Sequence, residues 1–411
     1  MQADCRSGSA PGAARSWPAG ESCESRAGVV NIVFLLTYYH PHLSGLTIAT
    51  GNRAEGLSER GHRVTVISSR HKKELPEEEV VRGVRVIRLP VAWRAGKGVW
   101  MRGYTRRVPR EAKDADVLVQ CLPVSPPEAI GAAIAARRSA KPLILDYACD
   151  LRLPGGWKAR AIEAAVFQGH LVAGRAARAI VVSTQSYAAA SPFLTRFQDR
   201  LRVIPLTMRI PHPDPEAVRL FRETHARGGE KLIGFAGRMA AEKGIEVLLE
   251  SVRLLGARGR RVRLLLAGDV TGVVGEAAYR QRILGKLDSL GDTCRVLGVI
   301  EPDLSAFYGA CDVLVLPSLN STESFGMVQA EAMLCGTPVV ASRLPGVREP
   351  VESTGMGLLA EPGDAAGLAD AISSVLDAPE RFRAAADVVQ DRFSAGRSLD
   401  AFEAMLREVL A

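Results

Sequence analysis

Short, nearly continuous apolar runs alternate along the chain with longer stretches whose apolar residues recur at helical spacing. The first run covers residues 29–36 (Val-Val-Asn-Ile-Val-Phe-Leu-Leu); a helical stretch over 46–60, ended by Gly61, leads to a second run at 63–68. Further runs fall at 84–89, 117–120, 143–146 and 180–183. Unbroken apolar runs of this length mark strands covered on both faces, and their alternation with helical stretches predicts a doubly wound α/β unit with a parallel sheet. The second half repeats the pattern: a strand at 231–236, a helix over 245–254, a strand at 312–317, a helix over 327–334 stopped by Gly336, and a strand reaching Ala341. Between the halves, residues 204–222 carry Pro205, Pro211, Pro213 and Pro215 and read as the hinge.

Length agrees with two units, since 411 residues exceed what one core usually organises and 47% hydrophobic content can fill two. The expected organisation is a tail over 1–28, a first Rossmann-like domain over 29–210, a second over 211–392, and a final helix over 393–411 placed to cross back onto the first domain. The tail mixes Ser, Gly, Ala, Pro and Arg without the apolar core of a secretory signal, and is expected to be disordered. No stretch is long and apolar enough to span a bilayer. The seven cysteines, at 5, 23, 121, 149, 294, 311 and 335, form no CxxC pair and no even disulfide framework, so a reduced, cytoplasmic setting is expected.

The most informative chemistry lies at the end of the strand over 312–317. There Glu323 sits in the exit loop and Glu331 within the following helix, eight positions on. Backbone N–H groups near Phe325, Gly326 and Met327 would face the crevice beyond the strand ends, where helix N-termini attract phosphate. Each carboxylate can accept hydrogen bonds from vicinal hydroxyls. Earlier, the strand at 231–236 runs into Gly237-Arg238-Met-Ala-Ala-Glu-Lys243-Gly244 and then a helix. Arg238 offers a planar fork of donors and Lys243 a mobile charge, suited together to a diphosphate whose charge grows as a sugar leaves. Either motif alone is also what a solvated surface turn would carry; their order along one domain is what favours a nucleotide sugar.

With these residues in place, the chain resembles the retaining family 4 glycosyltransferases of the GT-B fold over most of residues 29–390. The family's G-R-x-x-x-x-K-G is similar to Gly237 through Gly244, its A-G strand end to Ala267-Gly268-Asp269, its valine-to-glycine turn to Val296-Leu-Gly298, and its Glu-x7-Glu to Glu323 and Glu331. The strand Cys311-Asp-Val-Leu-Val-Leu-Pro-Ser318 before the pair and Gly336-Thr-Pro-Val-Val-Ala341 after it match as well. The resemblance implies two Rossmann-like domains facing across a cleft. It gives Arg238 and Lys243 the donor diphosphate, Glu323 the hydroxyls of the transferred sugar and Glu331 the ribose, with the turn after Gly298, near Ile300, meeting the base.

In the first half, the exit loop Thr37-Tyr-Tyr-His40-Pro-His42-Leu-Ser44-Gly45 resembles the family's glycine-rich loop between donor and acceptor, with Gly45 present and Ser44 in place of its partner. His40 and His42 are candidates for contact with acceptor or phosphate, or are merely exposed. At Asp146-Tyr-Ala148-Cys-Asp150 the chain departs from relatives that carry a histidine where Ala148 stands; Asp150 is the nearest replacement, and is equally placed to cap a helix starting at Leu151. Asp114-Ala-Asp116 has the spelling of a metal-diphosphate motif but directly precedes a strand, and reads as a surface turn. The first loop lacks GxGxxG, which removes the argument for a nicotinamide dehydrogenase.

Charge is unevenly placed: 28 basic residues against 14 acidic in 28–210, but 22 against 28 in 211–411. The densest basic stretch, 93–113, interleaves Arg94, Lys97, Arg102, Arg106, Arg107, Arg110 and Lys113 with Trp93, Trp100, Met101 and Tyr104. Such a mixture suits an anionic membrane surface or a solvated connection with anchoring aromatics, and no nucleic-acid motif accompanies it.

The expectation is therefore a metal-independent, retaining hexosyltransferase without cofactor. It would use a UDP- or GDP-hexose and a hydroxyl acceptor, whether lipid-linked, a cell-envelope glycan or a small molecule. It would work in the cytoplasm, at the inner face of the membrane where the acceptor is lipid-linked. A GT-B sugar-nucleotide epimerase and a non-catalytic nucleotide-sugar-binding protein share the same donor features.

Overall fold

The computed structural model describes residues 28–411 except 96–97, 154, 269–276 and 301–302; the expected tail, apart from Gly28, lies outside the described residues, as do Lys97 and Asp269. The first sheet contains β1 (Asn31–Leu35), β2 (Arg63–Arg70), β3 (Glu78–Val81), β4 (Val84–Ala95), β5 (Gly98–Met101), β6 (Val117–Leu122), β7 (Leu143–Tyr147), β8 (Ala179–Val182) and β9 (Leu201–Val203). Their order is β3-β4-β2-β1-β6-β7-β8-β9, with β5 paired to β4. Only the β3–β4 and β4–β5 pairs are antiparallel. The helices are α1 (Gly45–Glu59), α2 (Tyr104–Asp114), α3 (Pro126–Ser139), α4 (Trp157–Ala176) and α5 (Gln185–Ala190).

The alternation within β1 shows why an unbroken apolar run is required. Val33 and Leu35 point into one core with Val108 of α2 and Ala129 of α3, while Ile32 and Phe34 point into another with Leu57 of α1. The basic stretch 93–113 is not an open connection: β4 continues to Ala95 and turns back through β5, pairing Trp93 with Trp100, before α2 begins.

The connection from Ile204 ends at α6 (Pro215–His225), so the second half of the expected hinge is helical. Asp214 caps α6 through the Glu216 amide (3.2 Å) and Pro215 occupies its first turn, where a missing N–H costs nothing. The second sheet consists of β10 (Lys231–Ala236), β11 (Val262–Ala267), β12 (Cys294–Gly298), β13 (Val313–Leu316), β14 (Val339–Ser342) and β15 (Gly357–Ala360), in the order β12-β11-β10-β13-β14-β15. Its helices are α7 (Ile245–Ala257), α8 (Ala277–Leu290), α9 (Leu304–Ala310), α10 (Met327–Leu334), α11 (Arg348–Thr354), α12 (Ala365–Asp377) and α13 (Ala386–Arg392).

A last helix, α14 (Ala395–Leu410), leaves this sheet and packs Leu399, Phe402, Met405 and Leu406 against β1 and α1 of the first. Phe402 stacks on Phe34 with ring centres 6.3 Å apart, and Arg60 pairs with Asp400 at 2.7 Å. In both sheets the order reverses beside the first strand of the unit: between β1 and β6, and between β10 and β13. Open α/β sheets bind ligands beyond the strand ends at such points.

Candidate active site

The reversal in the second sheet brings two distant exit loops together. The loop after β10 supplies Gly237, Arg238 and Lys243; the loop after β13 supplies Glu323. Lys243 Nζ pairs with Glu323 Oε2 although 80 residues separate them, and both side chains are largely buried, at 20% and 16% exposure. The loops are locked by backbone contact as well. Leu319 N–H donates to Glu242 O at 2.9 Å, and Gly244, with φ of 68°, lies so close to Pro317 that a Cβ would fall 2.0 Å from its carbonyl oxygen. A side chain at 244 would push the loops apart.

Arg238 lies 3.6 Å from Glu242 and keeps 36% of its side chain exposed, turned only partly inward. Gly326, at φ 77°, precedes α10 with no side-chain cap, so the amides opening that helix, Met327 among them, have no capping acceptor from a side chain. A Cβ at 326 would stand 2.3 Å from Leu316. Phe325 is 5% exposed and meets Phe393 edge-on, so its ring serves the core and only its backbone faces the loop. Glu331 projects from α10 and accepts a hydrogen bond from the Tyr308 hydroxyl at 2.7 Å. Gly298, at φ 73°, ends β12 and its carbonyl accepts from Gly268 N–H at 2.7 Å; Ile300 packs partly buried against the same core as Phe325 and Met327.

The first domain meets this group at several points. His42 stacks on Tyr38 at 4.5 Å and stands edge-on to His71 at 5.6 Å. Burial, then the nearby His71, Arg238 and Lys72, lower the His42 pKa to about 4. His40 is exposed, and its carbonyl accepts from Arg88 Nη2 at 2.9 Å. Ser44 is not a substitute for a close-packed glycine: it caps α1 in a reciprocal capping box with Thr47, and Gly45 opens the helix exposed, with nothing within 4 Å of a Cβ. Cys149 packs partly buried against the first domain's core, its thiol pushed up to about 12 by burial and then by the Asp150 and Glu323 carboxylates.

Asp150 caps no helix, since residues 148–153 carry neither helix nor strand. Its carboxylate is buried and receives the hydroxyls of Tyr147 (2.6 Å) and Ser191 (2.8 Å), while its backbone N–H donates to the Tyr187 oxygen at 2.7 Å. Two hydroxyl donors occupy it within the first domain, which leaves it a poor stand-in for a catalytic histidine. Asp116 accepts from Asn31 N–H at 2.7 Å where β1 begins, at the strand ends opposite the exit loops. Among the described residues no three His, Cys, Asp or Glu side chains are grouped as metal ligands. A cavity of about 550 Å³ is lined by Arg209, His212, Gln390 and Phe393 and by none of the sequence-predicted site residues.

Two family models match the chain: the glycosyl transferase 4-like domain over residues 44–207 and glycosyl transferases group 1 over residues 230–378. The chain belongs to the group 1 glycosyl transferases. Among curated relatives, a D-inositol 3-phosphate glycosyltransferase of Corynebacterium jeikeium is 34% identical over 169 residues, 40% of each chain. One from Saccharomonospora viridis is 36% identical over 189 residues, 44% of this chain and 43% of the relative. The matched region thus spans less than half the length of these relatives. Two solved GT-B structures share the architecture. Anabaena HepE in complex with UDP-glucose superposes with a TM-score of 0.75 at 20% identity, covering 92% of this chain and 100% of that one. Sucrose-phosphate synthase from Thermosynechococcus elongatus gives 0.71 at 21%, covering 92% and 98%.

Three residues of this group 1 transferase escaped the sequence reading. Gln329, fully buried, donates to the carbonyls of Phe325 and Val347 (2.9 Å for the latter), stitching the Glu323 loop to the segment before α11. Tyr187 donates to Ser321 O at 2.8 Å across the two domains. Tyr308 holds Glu331. All three read in the sequence as ordinary core or helix residues, and no spacing signal marks them.

Proposed function

We propose that the protein is a retaining hexosyltransferase that moves a hexose from a UDP-hexose to a hydroxyl acceptor without a metal ion. The observation that carries this reading is the convergence of Lys243, Glu323 and the uncapped start of α10 at one switch point. In this reading the diphosphate lies against Arg238, Lys243 and the amides at Gly326 and Met327, where cationic donors stabilise charge as it grows on the leaving group. Glu323 receives sugar hydroxyls and Glu331 the ribose hydroxyls, with the base beside Gly298 and Ile300. The bond from the anomeric carbon to the diphosphate oxygen breaks, the acceptor oxygen bonds to that carbon on the same face, and the acceptor's proton passes to the departing phosphate oxygen. No histidine at position 148 is required for that transfer. UDP is favoured over GDP because HepE, similar over its whole length, was solved with UDP-glucose.

The acceptor side is the first domain, from His42 to Cys149. The curated relatives' name makes D-inositol 3-phosphate the first acceptor to try, and the positive surroundings of His42 suit an anionic one. A second contact, with anionic lipid on the cytoplasmic face of a membrane, is supported by the exposed Trp93 and Trp100 at 65% and 49% beside exposed Arg102, Arg106 and Arg110. Met101 and Tyr104 are buried, and Arg107 is tied to Glu78 and Glu111, so those three take no part.

The test is incubation with UDP- and GDP-hexoses, with and without D-inositol 3-phosphate, following released nucleoside diphosphate, glycosylated product and any epimer, in EDTA and with manganese. Acceptor-dependent release of UDP in EDTA is expected. Epimer without release, or activity only with manganese, would overturn the reading.

A further inference from the structure

We propose that Tyr308 is a positioning residue for nucleotide recognition, its hydroxyl holding the Glu331 carboxylate in the orientation that receives the ribose hydroxyls. This rests on the assignment of Glu331 to the ribose made above. The geometry is specific. Tyr308 is fully buried on α9 and reaches α10 to donate to Glu331 Oε2 at 2.7 Å. Its own backbone is pinned, because Thr337 Oγ1 donates to Tyr308 O at 2.6 Å. The ring is wedged against Phe307 at 5.4 Å, in the core that also holds Ala330 and Met333 of α10.

A glutamate on a helix surface has three side-chain torsions to restrain before both of its oxygens can meet a vicinal diol, and fixing such a chain on binding costs affinity. A rigid phenol anchored in the core removes part of that cost before the ligand arrives. Burial raises the phenol's pKa well above its ordinary value, with the Glu331 charge adding to it, so the group stays a donor at every pH the protein would meet. The contact also explains why a tyrosine rather than a phenylalanine sits in an otherwise apolar core: its polar end has an acceptor to reach.

The experiment is calorimetry of wild type, Tyr308→Phe, Glu331→Ala and the double variant with UDP and with 2′,3′-dideoxy-UDP, and with the GDP pair alongside. Tyr308→Phe is expected to weaken UDP by about tenfold, the size of a lost hydrogen bond to a charged group, and to leave the dideoxy ligand unchanged. In the Glu331→Ala background Tyr308→Phe should add nothing, because it acts through that carboxylate. Equal weakening of both ligands by Tyr308→Phe, or no weakening of UDP, would overturn the inference and leave the tyrosine a core residue. The ribose reading fails separately: it falls if Glu331→Ala weakens both ligands equally, or if wild type binds neither nucleotide better than its dideoxy form.

Discussion

Lys243 and Glu323 form an ion pair with each other across 80 residues of sequence. On the proposed assignment, a diphosphate at Lys243 competes with a carboxylate and a sugar at Glu323 competes with an ammonium. Lys243→Ala is expected to lower turnover on the order of 100-fold by removing charge stabilisation of the leaving group. Glu323→Gln should also slow transfer, yet bind UDP as tightly as wild type or more so, because Lys243 is released to the phosphates. Calorimetry with UDP checks this, and weaker UDP binding by Glu323→Gln would break the assignment.

Tyr187 links the two domains through Ser321, two residues before Glu323, and its oxygen accepts from Asp150 N–H. Tyr187→Phe removes one cross-domain hydrogen bond, worth about 1 kcal/mol, and should reduce kcat several-fold with no change in UDP affinity. Steady-state kinetics beside calorimetry separates the two effects. An unchanged kcat would mean that the link plays no part in turnover.

His42 provides a pH signature. Its pKa is lowered from 6.5 to about 4, so folding favours the neutral ring. The stability this group contributes is complete above pH 6.5 and is lost as pH falls toward 4, because the unfolded chain takes up the proton first. The His42→Asn variant should lose less stability than wild type between pH 6.5 and 4, measured by thermal unfolding across that window. Parallel curves would show that the ring titrates normally.

The hairpin of β4 and β5 and the start of α2 predict binding to anionic vesicles. Replacing Arg102, Arg106 and Arg110 with Ser should release the protein from anionic vesicles and leave UDP binding intact. Each basic residue near the headgroups contributes about 1 kcal/mol, and salt should weaken the attraction, since exposed charges are screened beyond about 8 Å at physiological ionic strength. Sedimentation of wild type and variant with anionic and neutral vesicles measures it. Salt-insensitive sedimentation, or none, would favour an acceptor free in solution.

The strands at the centre of each sheet were legible because burial on both faces leaves a local trace: β10 runs over Lys231–Ala236 and α10 over Met327–Leu334, both where the apolar pattern puts them. The edge was not. β5 is only Gly-Val-Trp-Met, alternately exposed and buried, the far end of β4 carries Arg94, and their pairing of Trp93 with Trp100 has no long apolar run behind it. The cap reading of Asp150, one of its two, failed because an aspartate before leucine and arginine looks the same whether its partner is a nearby amide or hydroxyls brought in from β7 and the turn after α5.

By itself the sequence determined two doubly wound α/β units, the order of the motif residues within the second, and the excess of positive charge in the first; each is set by composition or by periodicity along a short stretch. Which motifs meet was decided only by strand order. β10 lies beside β13 rather than β14, and that adjacency closes the 80-residue gap between Lys243 and Glu323. Tyr308 and Tyr187 gained their partners in the same way, across α9 to α10 and across the two domains. Periodicity records whether a side chain is buried, but the acceptor that a buried hydroxyl finds depends on which elements pack against it.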